Sequence, residues 1–242
     1  MAAESNRIQW RRTAAEGAAI VISILLAFAI DAWWEERQDR QEEQRILLGL
    51  QLEFAAIEQQ LSNHREQLLH DLDSLRMLFD VIEGRAEVTS AIIDNALLDL
   101  MRPLTSDIAN GTLHALLGSG QLELLSDRDL RQNLVDWESV MGEVWDDQHA
   151  HAKMIFEIHV PYFVDNGFLA AGTMEDWFPN DWQAETTRLS EDAVAVERLL
   201  GDASFHSLVQ FRYGYRIHLV EEFDSALAAV RTILEQVGES IH

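Results

Sequence analysis

The side chains able to bind a metal or move a proton gather in two places. His149, His151 and His159 follow Asp146 and Asp147, and His218 stands four residues before Glu222 near the end of the chain. On a helix, ligands face one another only at spacings of three or four. Asp147 with His151 and His218 with Glu222 meet that condition, whereas His149 with His151 does not. A Glu-x-x-His motif repeated on two helices, which builds metal sites inside helical bundles, is absent. No metal is therefore expected, and Asp147, His151, His218 and Glu222 are weak candidates for one. Nucleophilic chemistry has still less support. There is no cysteine, no Gly-x-Ser-x-Gly and no glycine-rich phosphate loop. Gly118-Ser119-Gly120 reads as a helix end and a turn. With 42 acidic residues in the chain, no single carboxylate pair stands out for acid–base work. The expectation is a protein with no catalytic residues and no cofactor, and not an enzyme.

Aromatic residues offer binding rather than chemistry. Trp137 and Trp145 are eight residues apart and can share a core-facing helix side. Trp177, Phe178 and Trp182 fall in residues 165–190, an irregular segment holding Gly167, Gly172 and Pro179. Such a segment can hold a pocket or a partner-binding surface, so these three form a possible binding segment. Packing of the segment onto the rest of the domain is the plainer alternative.

These residues must be positioned by helices, and the sequence says which. The run EGAAIVISILLAFAIDAWWEER, from Glu16 to Arg37, has no charge between Gly17 and Ile30. Trp10 precedes it, and Trp33 and Trp34 follow. At about 1.5 Å per residue, Trp10 to Trp33 spans roughly 35 Å, enough for a bilayer core with an aromatic residue at each interface. A buried core helix and a cleaved signal peptide ending near Ala27-Phe28-Ala29 are the alternatives. The apolar character on all faces opposes the first, and Glu16 together with the continuing helical pattern opposes the second. Ala15, Ala19, Ser23, Ala27 and Asp31 recur every four residues, a spacing that lets another helix approach closely. Trp10, Trp33, Trp34 and this stripe are the expected anchor and self-association residues. Arg11 and Arg12 lie close to the apolar run and favour a cytoplasmic N-terminus.

Beyond the run the helical pattern continues unbroken. A seam with spacings of three and four runs through Leu47, Leu50, Phe54, Ile57, Leu61, His64, Leu68, Asp71, Leu75, Leu78 and Ile82, and Gly84 is the first stop. His64 and Asp71 interrupt its apolar character, which means either a shift of register or a buried polar layer that fixes it. Val88–Met101 is a second helical stretch ended by Pro103, and Ser106 or Asp107 caps a short helix reaching Leu117. Ser126 opens a long helix whose seam is Leu130, Leu134, Trp137, Met141, Val144, Ile155, His159 and Phe163, with Pro161 kinking or ending it. A short helix spans Ser190 to Leu200. The last helix, capped by Asp202, has the seam Phe205, Leu208, Arg212, Tyr215, Leu219, Phe223, Ala226, Val230, Ile233 and Val237.

The expected fold class is all-α. An N-terminal transmembrane helix continues into a long helix, followed by an antiparallel helical bundle of about four long helices. The divisions are 1–12, a basic tail; 13–34, the span; 35–45, a charged stalk; and 46–242, the bundle. Three prolines and 12 glycines in 242 residues agree with few loops. A net charge of −24, with Lys153 the only lysine, repels phosphate backbones, so no nucleic acid is expected as partner.

Three stretches carry a resemblance: the apolar run with Asp31, Trp33 or Trp34, Glu36 and Arg37; LHALLGSGQLELLSDRDLRQNLVDW, Leu113 to Trp137; and FHSLVQFRYGYRIHLVEEFDSAL near the end. In these the chain resembles an uncharacterised family of bacterial single-span membrane proteins, a domain of unknown function. The resemblance covers most of the chain and implies no activity. The favoured reading is a membrane-anchored helical-bundle interaction or scaffold protein, a homo-oligomer with membrane lipid, its own copies and a possible protein partner. An extracytoplasmic ligand-binding or sensor module is the alternative, and a pore-lining or transporter-associated subunit the third. The expected location is the bacterial inner membrane, single-pass, with the bulk of the chain periplasmic.

Overall fold

The computed structural model describes residues 2–104, 108, 110–168 and 191–241. Every regular element among them is helical, and none is a strand. The elements are α1 (Ala2–Ile82), α2 (Ser90–Met101), α3 (Gly111–Ser119), α4 (Arg128–Met154), α5 (Val160–Asp165), α6 (Ala193–Leu200) and α7 (Ala203–Ile241). Three of these are long, with 81, 27 and 39 residues in α1, α4 and α7. The second helical stretch, Val88–Met101, forms the 12-residue α2.

Local chemistry sets the boundaries. Gly84 adopts φ 69° just past α1, the left-handed conformation that ends a helix at little cost for glycine. Thr89 caps α2 through its hydroxyl, which accepts from Ile92 N at 3.3 Å. At the other end Pro103 forces Arg102 into extended backbone, φ −78° and ψ 115°, so the helix stops there. The cap of α4 is Asp127, accepting from Asp129 N and Leu130 N at 2.8 and 3.1 Å. Ser126, expected in that role, instead donates from its N–H and hydroxyl to Glu43 of α1, each at 2.6 Å. Asp202 caps α7 as expected, accepting from Ser204 N at 2.7 Å. Ser106 and Asp107 lie outside the described residues, and α3 begins later, at Gly111. There Glu53 of α1 accepts from Thr112 N and Leu113 N at 2.6 and 3.0 Å. Carboxylates on α1 thus satisfy free N–H groups where both α3 and α4 begin.

Pro161 acts as its chemistry requires. It has no N–H, and its ring clashes with the carbonyl four residues back. The ladder opens into a π-helical turn over Ile155–His159 before resuming as α5. Ile155 and His159 are buried by this turn, with Phe156 and Ile158 exposed.

The long helices pack along α7. Glu58 pairs with Arg231, Arg65 with Asp224 and Asp71 with Arg216, so α1 and α7 run antiparallel. Asn133 with Gln236 and Asp147 with His218 show the same for α4 and α7. The α1 seam is buried as counted except at His64 and Ile82, which are half-buried. On α7, Val209 and Arg216 are buried where Leu208 and Tyr215 were expected. Two apolar cores result. One joins Leu47–Leu68 of α1 to α3, to the first part of α4 and to Leu219–Val237 of α7, with Trp137 edge-on to Phe54 at 5.5 Å. The other gathers Leu75 and Leu78 with α2, Phe163, Val196, Leu199, Phe205 and Val209.

Candidate functional site

Between the two cores lies a layer of buried charge. On α1 the apolar seam breaks between Leu68 and Leu75, and Asp71 and Ser74 fill the gap. On α7 it breaks between Val209 and Leu219, where Arg212 and Arg216 stand one turn apart. From α2 comes Asp99, from α4 His151 and from the π-helical turn His159, all buried. Asp71, His151, His159, Arg212 and Arg216 are each 0% exposed. Of the two readings open for Asp71, a register shift or a buried polar layer, the layer is what forms.

The contacts centre on the end of α2. Because Pro103 ends that helix early, its last carbonyls have no helical partner. Arg212 Nη2 donates to the carbonyls of Asp99 and Arg102 at 2.9 and 2.7 Å, and Arg216 Nη2 approaches them at 3.5 and 3.3 Å. A cation at a helix C-terminus also complements the helix dipole. Arg216 Nη2 forms an ion pair with Asp71 Oδ2 at 2.7 Å, and Gln67 donates to the other Asp71 oxygen at 2.8 Å. Arg212 Nη1 donates to His151 Nε2, which fixes the His151 proton on Nδ1. The His151 ring stacks on Tyr215 with centroids 5.6 Å apart.

Burial sets the protonation states. It pushes His151 down to about 2, with the charges of Arg212 and Arg216 adding to the effect. It pushes His159 down to about 4 against a hydrogen bond to the Met154 carbonyl. Both imidazoles are neutral near pH 7. Burial raises Asp99, and the nearby Asp71 charge raises it further. Burial lowers both Arg212 and Arg216, yet a guanidinium remains protonated at neutral pH. Among the described residues Arg212 Nε and Arg216 Nε and Nη1 lack a hydrogen-bond partner. Unused buried donors cost stability. Buried charge paired in this incomplete way is not by itself a source of net stability. Its fully buried groups are closed off from solvent.

The remaining predicted residues fall elsewhere. Ala15, Ala19, Ser23, Ala27, Asp31, Trp10, Trp33 and Trp34 are all exposed on α1, and Ser23 satisfies its hydroxyl on the Ala19 carbonyl at 2.8 Å. Trp33 and Trp34 are neighbours, with centroids 6.4 Å apart, and Arg37 lies over Trp33 at 5.8 Å. Trp177, Phe178 and Trp182 lie outside the described residues. Of the four weak metal candidates, Asp147, His218 and Glu222 come together at the α4–α7 edge and His151 leaves them for the buried layer. A second set, His70, Asp71 and Asp99, also converges. There Arg216 already holds Asp71, and a cation would meet two guanidiniums, so this set does not suit a metal.

Sequence reasoning placed Asp71 and Arg212 on seams but missed Arg216 and Asp99. The available signal was opposite charge at seam positions of two helices. No family model, no curated protein and no solved structure matches the chain. The likeness to single-span bacterial proteins rests on the residues quoted for it alone.

Proposed function

We propose that this protein is a membrane-anchored helical interaction module that works as a homo-oligomer. One observation carries the reading. α1 is long and apolar enough to cross a membrane, and its apolar window is entirely uncovered by the rest of the chain. Ile20, Ile22, Leu25, Leu26, Phe28 and Ile30 are each more than half exposed. Apolar surface that continuous calls for lipid or another apolar partner. Because α1 runs on into the packed region without a break, anchor and domain are one mechanical piece. The features near the ends of the run suit the same role. Arg12 pairs with Glu16 at 3.3 Å, and the Trp33–Trp34 pair sits where interfacial aromatics belong.

On this reading the span occupies residues 13–34 of a bacterial inner membrane and the N-terminus is cytoplasmic. The antiparallel helices beyond Ile46 then form a periplasmic bundle. Subunits meet along the small-residue stripe, which drifts by roughly 40° every four residues and so suits helices crossing at an angle. The test is the oligomeric state of the full chain in mild detergent. Ala19→Leu and Ala27→Leu should shift it toward monomer with unchanged helicity. Unchanged oligomers in both variants would refute assembly through the span. A reporter fused after His242 that is active in the cytoplasm would reverse the topology.

A further inference from the structure

Among the described residues outside the span and the buried layer, one group of side chains has the make-up of a metal centre. Asp147 of α4 and His218 and Glu222 of α7 point their ligand atoms into one place, all within 4.8 Å of one another. His218 Nε2 is the shared vertex, 3.0 Å from Asp147 Oδ2 and 3.9 Å from Glu222 Oε1. Two ligands held about 2.0–2.1 Å from a tetrahedral zinc ion lie roughly 3.3 Å apart. Two of the separations fall on either side of that value and the third pair lies within 4.8 Å, so an ion fits once the side chains close by up to about 1.5 Å.

We propose that Asp147, His218 and Glu222 form a divalent transition-metal site, with zinc the best fit. The donor set selects the class. One imidazole with two carboxylates suits zinc and its neighbours, whereas magnesium and calcium favour oxygen alone. The spacing selects the geometry. His218 and Glu222 are four residues apart on one helix face, and antiparallel packing brings Asp147 across to them. The surroundings select the tautomer. Metal on Nε2 requires the proton on Nδ1, and Nδ1 faces Glu221 Oε2 at 3.9 Å, an outer carboxylate able to orient the ring. Three protein ligands leave one coordination position. His218 is 54% exposed, so that position opens to solvent and can take water or an added donor. The ion ties α4 to α7 about one turn from the buried arginines. The chain's charge of −24 draws cations toward it.

The test uses the detergent-solubilised full chain titrated with Co²⁺ and followed by visible absorption, then by displacement with Zn²⁺. One equivalent with the intense bands of a tetrahedral centre is expected, displaced by Zn²⁺ and not by Mg²⁺. His218→Ala and Asp147→Asn should each weaken binding by about 100-fold or more, and Glu221→Gln by about 10-fold. His218 and Glu221 are exposed and Asp147 is half-buried, and unchanged far-UV circular dichroism checks that each variant folds. Absence of the bands would overturn the site, as would Co²⁺ binding of equal affinity in wild type and His218→Ala.

Discussion

From Arg12 to Gln41, α1 exposes every residue; from Ile46 to Val81 the same helix buries a residue at nearly every third or fourth position. No glycine, proline or cap separates the two halves, and the backbone does not register the change. What differs is the distribution of apolar residues. In the first half they cover all sides, so no one face can be turned toward a core. In the second they form a stripe, and α7 and α4 cover it. On the proposed reading one helix meets two solvents, and side-chain periodicity alone marks the boundary. Within the second half a further contrast appears: two apolar cores flank a layer of buried charge.

The sharpest way to break the comparison is to remove one charge from the layer. Arg216→Ala leaves Asp71 buried and uncompensated, and should cost about 3–5 kcal/mol in denaturant unfolding. Ile24→Ala, in the exposed half, should change the unfolding of the packed region by less than about 0.5 kcal/mol. Equal effects would erase the distinction between the halves. Replacing the pair together, Asp71→Leu with Arg216→Met, should be neutral or stabilise by up to about 4 kcal/mol. If the layer fixes register, this double variant should show broadened amide NMR signals or a changed oligomeric state despite that stability. A well-ordered, unchanged fold would show that the apolar seams suffice.

The buried histidines predict a pH dependence. Both have lowered values in the fold, about 2 for His151 and about 4 for His159, against 6.5 for an ordinary imidazole. Their contribution is complete above pH 6.5 and is lost as pH falls. The unfolded chain takes up protons that the fold refuses until pH 4 for one ring and pH 2 for the other. The slope is at most about 1.4 kcal/mol per pH unit for each histidine. Asp99, raised in the fold, works in the opposite sense above its ordinary value of 3.8. His151→Gln should flatten the fall between pH 6 and 4 when unfolding is measured across that range. A small effect belongs to the surface pair of Arg231 with Glu58, where Arg231→Gln should cost about 0.2–1 kcal/mol and less in high salt.

Much of this architecture was legible because helical seams repeat. Every seam position named from Leu130 to Phe163, across α4, the π-helical turn and α5, is buried. The break at Asp71 left a buried polar layer as one of two readings, and Arg212 was counted on the α7 seam without being paired with it. Arg216 was not legible, because a search for apolar residues passes over an arginine to Tyr215. Pro161 signalled a disturbance, but not that it would take the form of a π-helical turn burying His159. The caps supplied by Glu43 and Glu53 were invisible, since they bridge separations of 83 and 59–60 residues that no local rule reaches. For the same reason the sequence showed Asp147–His151 and His218–Glu222 only as two separate pairs at helical spacing. Only the packing of α4 on α7 exchanged His151 for the other pair.

The central claim is that the exposed half of α1 lies in lipid. Alkaline extraction of membranes from cells making the full chain, followed by N-terminal sequencing of the protein, tests it most directly. The account predicts that the intact chain stays in the membrane pellet with its N-terminus preceding Trp10. Release into the supernatant, or a mature N-terminus near Ile30, would contradict it.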